Sequence, residues 1–116
     1  MKKILIIEDE IIIAQALAMD LEDWGFDIIG IAPDYLSAIN LVQEGNPHFI
    51  ISDINLKSKE SGIDVARWVN NFNTDIEVIF MTGYGYNTLK QQLESITYKK
   101  LLEKPVDARA VLRIIQ

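Results

Sequence analysis

The chain has 116 residues, of which 49% are hydrophobic and 24% charged, and acidic side chains outnumber basic ones by 17 to 11. This length suits one domain with a single core, and the apolar content excludes an intrinsically disordered chain. The absence of cysteine excludes a disulfide framework and a thiolate metal site. A net charge of −6 would repel a phosphate backbone, so direct nucleic-acid binding is not expected. Glu8 and Asp9 interrupt the first apolar run before it reaches the length of a signal sequence, which predicts a cytoplasmic domain without membrane contact.

Five short apolar runs rich in β-branched residues predict five strands. In chain order they cover residues 4–7, 28–31, 49–51, 78–81 and, more weakly, 98–102. The runs are continuous rather than alternating, which is typical of strands that are covered on both faces in a parallel sheet.

Amphipathic stretches between these runs predict five helices. The first places Ile12, Ala16, Leu17, Leu21 and Trp24 at helical spacing and stops at Gly25. The later patterns are carried by Ala38, Leu41 and Val42; by Val65, Ala66, Val69 and Phe72; by Leu89, Leu93 and Ile96; and by Val111, Leu112 and Ile115. The expected fold is therefore α/β: one (βα)₅ domain over residues 1–116, doubly wound and flavodoxin-like, with a parallel five-stranded sheet in the order 2-1-3-4-5. We interpret Trp24 and Trp68 as packing residues and His48 as structural.

Polar side chains follow four of the predicted strands. Glu8 and Asp9 follow the first, Asp53 the third, Thr82 the fourth and Lys104 the fifth. The carboxyl ends of parallel strands share one edge, so these residues should converge where such sheets bind ligands. Three neighbouring carboxylates repel one another and need a cation. Oxygen ligands favour Mg²⁺.

A carboxylate beside such an ion can act as a nucleophile toward a phosphoryl group. Catalysis of that transfer is mostly positioning and charge neutralisation. Asp53 is the candidate nucleophile, Lys104 would bind one phosphoryl oxygen and the Thr82 hydroxyl could donate a hydrogen bond to another.

Three segments carry a resemblance to a known family. These are residues 4–10 (ILIIEDE), residues 50–56 (IISDINL), and residues 81–83 together with Lys104-Pro105. Over essentially its whole length the chain resembles the response-regulator receiver domains of two-component signalling. The resemblance implies that Asp53 accepts a phosphoryl group from a sensor histidine kinase or a histidine phosphotransfer protein.

The same resemblance implies the roles of the surrounding residues. Asp9 would bind Mg²⁺ directly, Glu8 mainly through water, and Asn55 through its backbone carbonyl. Lys104 would contact the phosphoryl group, Thr82 would be the switch hydroxyl, and the peptide bond before Pro105 would be cis.

A receiver domain would be a signalling phosphoacceptor that promotes only its own phosphorylation and dephosphorylation. Its output would pass to a downstream protein or an attached output domain, from a monomer or a phosphorylation-dependent homodimer. The helical pattern still running at Gln116 suggests a domain cut from a longer chain.

The chain also departs from the family pattern. Leu101 stands where the family usually has an aromatic ring that rotates on activation, which puts aromatic gating in doubt. Lys57 stands where proline is common, in a loop that is one residue longer before Gly62. We also hypothesise that Asn55 and Tyr84 tune the lifetime of the phosphoryl group.

Other functions remain open from the sequence. One is a degenerate receiver that binds partners without phosphorylation. A Mg²⁺-dependent aspartyl-phosphate hydrolase is less favoured, because its motif places a second Asp where this chain has Asn55. A flavodoxin-like electron carrier and a P-loop nucleotidase both lack their phosphate-binding loops here.

Overall fold

The structure, a computed structural model, describes residues 1–56, 58–83 and 85–116. Strands and helices alternate along them. The elements are β1 (Lys3–Ile7), α1 (Ile11–Asp23), β2 (Asp27–Ala32), α2 (Tyr35–Gly45), β3 (Phe49–Asp53), α3 (Gly62–Phe72), β4 (Glu77–Thr82), α4 (Tyr86–Leu93), β5 (Lys100–Glu103) and α5 (Ala108–Ile115).

The five strands form one parallel sheet in the order β2-β1-β3-β4-β5. The chain therefore runs outward from β1 to β2, returns to β3 on the other side of β1, and continues to β5. This confirms the predicted (βα)₅ fold and its strand order. The carboxyl ends of β1 and β3 meet where the direction reverses, which is the usual ligand-binding position in such sheets.

Both faces of the sheet are buried, as the continuous apolar runs predicted. On β1, Leu5 and Ile7 belong to a core that also contains residues of α2, α3 and α4. Ile4 and Ile6 belong to the opposite core, together with residues of α1 and α5. All four side chains are fully buried, because successive strand residues point to opposite faces.

Side-chain caps fix where α2 and α3 begin. The Asp34 carboxylate accepts a hydrogen bond from the Ser37 backbone N–H at 2.9 Å, at the start of α2. Ser61 and Asp64 form a capping box at the start of α3, in which each side chain accepts from the other residue's backbone N–H. The second cap places α3 directly after the loop that follows Asp53.

The interior face of α1 differs from the predicted one. Ile12 is 79% exposed, Trp24 is 41% exposed and Ala16 is also exposed, so these members of the predicted pattern do not form the buried face, and the predicted packing role of Trp24 was wrong. The buried residues of α1 are Ala14, Leu17, Ala18 and Leu21. The apolar run at the helix start is longer than one face can bury, and Trp24 lies just beyond the last turn.

Other differences are small. Trp68 packs on the core and stacks on Phe72 with ring centroids 4.8 Å apart, which confirms its packing role. β5 begins at Lys100, two residues later than predicted, and Ile96 is buried beyond the end of α4. Within residues 1–56, 58–83 and 85–116, no helix has the length and apolarity needed to cross a membrane.

Candidate functional site

The predicted polar residues converge on the carboxyl edge of the sheet. Glu8 directly follows β1, Asp53 and Thr82 are the last residues of β3 and β4, and Lys104 directly follows β5. Asp53 lies opposite Met81 in the register of β3 and β4, which places Thr82 one residue further along the neighbouring strand. The parallel sheet thus brings together side chains up to 96 positions apart in the sequence.

Lys104 joins two of the carboxylates. Its Nζ lies 2.9 Å from Asp53 Oδ2 and 3.0 Å from Glu8 Oε2. The Glu8 side chain is 0% exposed, that of Asp53 is 8% exposed and that of Lys104 is 24% exposed. One partly exposed ammonium therefore neutralises part of a buried acidic pair.

Burial raises the pKa of Glu8, and the nearby negative charge of Asp53 raises it further, while the hydrogen bond from Lys104 opposes both effects. Burial alone would lower the pKa of Lys104, but its hydrogen bonds and ion pairs with Asp53 and Glu8 outweigh that effect and raise it. Lys104 is therefore positively charged at neutral pH. The site still carries more negative than positive charge, which favours binding of a further cation.

Glu8, Asp9 and Asp53 each offer a carboxylate oxygen, and these oxygens lie within 4.8 Å of one another. Asp9 is half-buried, between the buried Glu8 and the exposed Glu10. An all-oxygen donor set with room for water suits Mg²⁺, which usually takes one or two protein carboxylates directly. The residues present fit that ion.

Backbone groups orient the acidic side chains. The Asn55 N–H donates to Asp53 Oδ1 at 3.2 Å, and the Glu10 N–H donates to Glu8 Oε1 at 3.3 Å. The Lys104 N–H donates to the Thr82 carbonyl at 2.7 Å, which ties the end of β5 to the end of β4. The peptide bond between Lys104 and Pro105 is cis, as the resemblance implied.

The departures from the family pattern have different outcomes. Leu101 is half-buried, lies opposite Phe80 in the sheet and packs against the core. Phe80 also contacts the Tyr98 ring, with centroids 5.6 Å apart. Lys57 and Tyr84 lie outside the described residues, so the predictions made for them stay predictions, as does the role of the Asn55 carbonyl.

Two features at this edge were not predicted. Ser52, the residue before Asp53, is 1% exposed and hydrogen-bonded, and its only signal was a hydroxyl between the apolar run and Asp53. The isoleucines at 11, 12 and 13 are all exposed at the start of α1, close in sequence to the acidic pair. Their signal was a second apolar run that directly follows the acids.

Comparison with known proteins agrees with this geometry. Residues 4–116 match the response regulator receiver domain family. The chain belongs to this family. It is 33% identical to the phyllosphere-induced regulator PhyR of Methylorubrum extorquens, in an alignment that covers 97% of this chain and 42% of PhyR.

Solved structures of other receiver domains superimpose closely on this one. The receiver domain of PhyR from Erythrobacter litoralis, solved by solution NMR, is 32% identical, with a TM-score of 0.84, over 98% of this chain and 86% of that one. A response regulator from Burkholderia pseudomallei, crystallised with a phosphorylated aspartic acid, calcium ion and citrate, is 25% identical, with a TM-score of 0.89, over 100% of this chain and 67% of that one. This receiver domain spans 32% to 55% of the length of the first sequence relatives it matches.

Proposed function

We propose that this receiver domain is the phosphoacceptor of a two-component phosphorelay and that Asp53 carries the phosphoryl group. The observation that supports this most directly is the pairing of Asp53 and Glu8 with one ammonium, 2.9 Å and 3.0 Å away, at the sheet edge where the strand order reverses. A carboxylate that is held in place by a neighbouring ammonium at this edge of the sheet suits in-line attack on a phosphoryl donor.

In the proposed step, one Asp53 carboxylate oxygen attacks the phosphorus of a phosphohistidine. The new P–O bond forms as the P–N bond breaks, and the electron pair of that bond stays on the imidazole nitrogen of the donor. Lys104 compensates charge on a transferring oxygen, and the Asn55 N–H holds the second carboxylate oxygen of Asp53. After transfer, the Thr82 hydroxyl and Lys104 would hold the phosphoryl oxygens and so bias the domain toward its active conformation.

Asp9, Glu8 and Asp53, with the Asn55 backbone carbonyl, would hold Mg²⁺ beside the attacking carboxylate. When bound, Mg²⁺ supplies positive charge that offsets the negative charge of the acids and of the phosphoryl oxygens. The cluster of oxygens within 4.8 Å supports this assignment.

A protein donor, either a sensor histidine kinase or a histidine phosphotransfer protein, fits the surface beside the site. An open groove of about 450 Å³ lies between α1 and the segment that contains Lys104 and Val106, and Ile13 and Ala16 line it. Exposed apolar side chains next to a reactive centre are typical of protein contact surfaces.

The output is proposed to pass to a downstream protein or an attached output domain, because several relatives are transcriptional regulators that are much longer than this chain. We also propose that residues 1–116 act as one cytoplasmic domain, either as a monomer or as a phosphorylation-dependent homodimer. We further propose that the domain catalyses only its own phosphorylation and dephosphorylation.

Incubation with acetyl phosphate and Mg²⁺ tests the central proposal. Intact-protein mass spectrometry should show a gain of one phosphoryl group, and this gain should be lost in Asp53→Asn and in the presence of a chelator. Asp27→Asn, the same change at the opposite end of the sheet, is the matched control and should be phosphorylated normally. If the unaltered domain gained no mass, the phosphorylation-independent alternative would hold, whereas phosphate release over many turnovers would indicate a hydrolase.

A further inference from the structure

A buried hydroxyl lies directly behind the proposed phosphoacceptor. Ser52 is 1% exposed and sits in β3 between Ile7 of β1 and Phe80 of β4. Its Oγ donates a hydrogen bond to the Asp53 backbone carbonyl at 2.9 Å. This contact acts on the main chain of Asp53, and not on its carboxylate.

Gly62, the first residue of α3, lies against the same carbonyl. A Cβ atom added to Gly62 would lie 2.1 Å from the Asp53 carbonyl oxygen and 2.8 Å from Ser52 Oγ. Real Cβ atoms essentially never approach a backbone oxygen so closely, so a side chain here would displace either α3 or the end of β3. The Gly62 N–H also donates to the Ile54 carbonyl at 2.8 Å, which holds α3 in this position.

Contacts therefore hold both the main chain and the side chain of Asp53. Its carbonyl meets Ser52 Oγ and Gly62, while its carboxylate accepts from the Asn55 N–H at 3.2 Å and from Lys104 Nζ at 2.9 Å. A buried hydroxyl loses contact with water, and the hydrogen bond to the Asp53 carbonyl compensates for that loss. The hydroxyl of Ser52 is therefore directed toward the main chain of the phosphoacceptor.

We propose that Ser52 is a positioning residue for the phosphoacceptor: its hydroxyl, seated against Gly62, fixes the main chain of Asp53 so that the carboxylate faces Lys104 and the acidic pair. This inference rests on the proposed function, since it concerns the same reactive carboxylate. A displacement of a reacting group by 1 Å can cost about a hundredfold in rate, so even a small drift of this carbonyl should be measurable.

The test compares Ser52→Ala with Ser37→Ala. Both variants lose a hydrogen-bonded serine hydroxyl, but the Ser37 hydroxyl donates to the Asp34 carboxylate in the cap of α2 and not to Asp53. At saturating Mg²⁺ and a fixed acetyl phosphate concentration, Ser52→Ala should be phosphorylated about tenfold more slowly, and Ser37→Ala within about twofold of the unaltered domain. Ser52→Thr, which keeps the hydroxyl, should restore the rate to within about twofold.

Rates are compared at a temperature where denaturation curves show every variant to be fully folded, so that lost stability does not count as lost positioning. Equal rates for Ser52→Ala and Ser37→Ala would overturn the proposal. A threonine variant as slow as the alanine variant would also overturn it, because the hydroxyl would then not be the operative group.

The Asn55 amide resonance separates this inference from the proposed function. That N–H donates to Asp53 Oδ1, so its chemical shift reports the carboxylate position whether or not a phosphoryl group can be added. If the unaltered domain is not phosphorylated, the proposed function fails, and the Asn55 amide resonance then tests the positioning role of Ser52 on its own. If the Asn55 amide resonance shifts in Ser52→Ala but not in Ser37→Ala, the positioning role of Ser52 is supported. If the resonance shifts in neither variant, the positioning role is overturned.

Discussion

Charged side chains are exposed at the amino end of the parallel sheet and mostly buried at its carboxyl end. At the amino end, the contacts are exposed: the Lys3 N–H donates to His48 Nδ1 at 2.9 Å, and the Lys99–Glu77 ion pair has side chains 39% and 45% exposed. At the carboxyl end, Glu8 and Asp53 are buried against a single ammonium.

The amino-end contacts have little effect on the free energy of unfolding, because water still solvates the charges. The carboxyl-end cluster removes charges from water and leaves the negative charge in excess, which lowers stability unless a further cation binds. Polar residues that cost stability in this way are typical of functional sites. The contrast therefore indicates, without reference to any relative, that the carboxyl end of the sheet is the candidate functional end.

The largest expected effect on stability follows removal of the Lys104 ammonium at the carboxyl end. Lys104→Met should lower the free energy of unfolding by about 2 kcal/mol in chelator, less than for a fully buried pair because Lys104 is partly exposed. Urea denaturation measures this change. Lys99→Met at the amino end should cost under about 1 kcal/mol, and equal losses in the two variants would contradict the contrast.

Mg²⁺ should stabilise the carboxyl end selectively. At a free concentration ten times its Kd, the ion should raise the free energy of unfolding by about 1.4 kcal/mol, because it binds only the folded domain. Asp9→Asn should abolish most of this gain, while Asp27→Asn at the amino end should keep it. Thermal melts with and without Mg²⁺ measure both, and an unchanged response in Asp9→Asn would place the ion elsewhere.

The free energy of unfolding should also depend on pH through Glu8 at the carboxyl end. Burial raises the pKa of Glu8 above its ordinary value of 4.5, so the folded domain binds this proton more tightly than the unfolded chain. In chelator, Glu8 therefore contributes a loss of stability as the pH rises from about that value toward the raised pKa. Glu8→Gln lacks this contribution, so its stability relative to the unaltered domain should increase across that window in urea titrations. A constant difference would show that burial does not shift this group.

The smallest effect is expected at the amino end. Glu77→Gln removes one partner of the exposed Lys99 ion pair and should cost only 0.2 to about 1 kcal/mol. High salt should erase even this loss, because exposed charges are screened. Denaturation at low and high salt measures the effect. A loss that persists in 1 M salt would mean that the amino end holds its charges as tightly as the carboxyl end.

The sequence predicted most of the fold because the signals were strong and local. Continuous apolar runs such as the one at β1 indicate a strand covered on both faces, and Asp53 and Lys104 each come two positions after a predicted strand. Once the strands are parallel, their carboxyl ends must meet, so the candidate site followed from the fold. The family resemblance added the cis peptide before Pro105, which no local pattern indicates.

What the sequence did not predict depends on contacts between distant residues. The inward face of α1 was assigned wrongly because Ile12 is as apolar as the buried Leu17, and only packing on the sheet selects between them. The contact of Ser52 with Gly62 requires the exact placement of α3 against β3, and spacing along the chain carries no such information. The difference in pKa between Glu8 and an ordinary glutamate likewise arises only after burial.

The ammonium that balances the acids lies 96 positions after Glu8 in the sequence. A ribosome makes the acidic pair long before Lys104, so a nascent chain cannot assemble the candidate site until β5 has emerged and docked. If Asp53 accepts a phosphoryl group as proposed, that competence is coupled to completion of the domain, and fragments that end before β5 should not be phosphorylated.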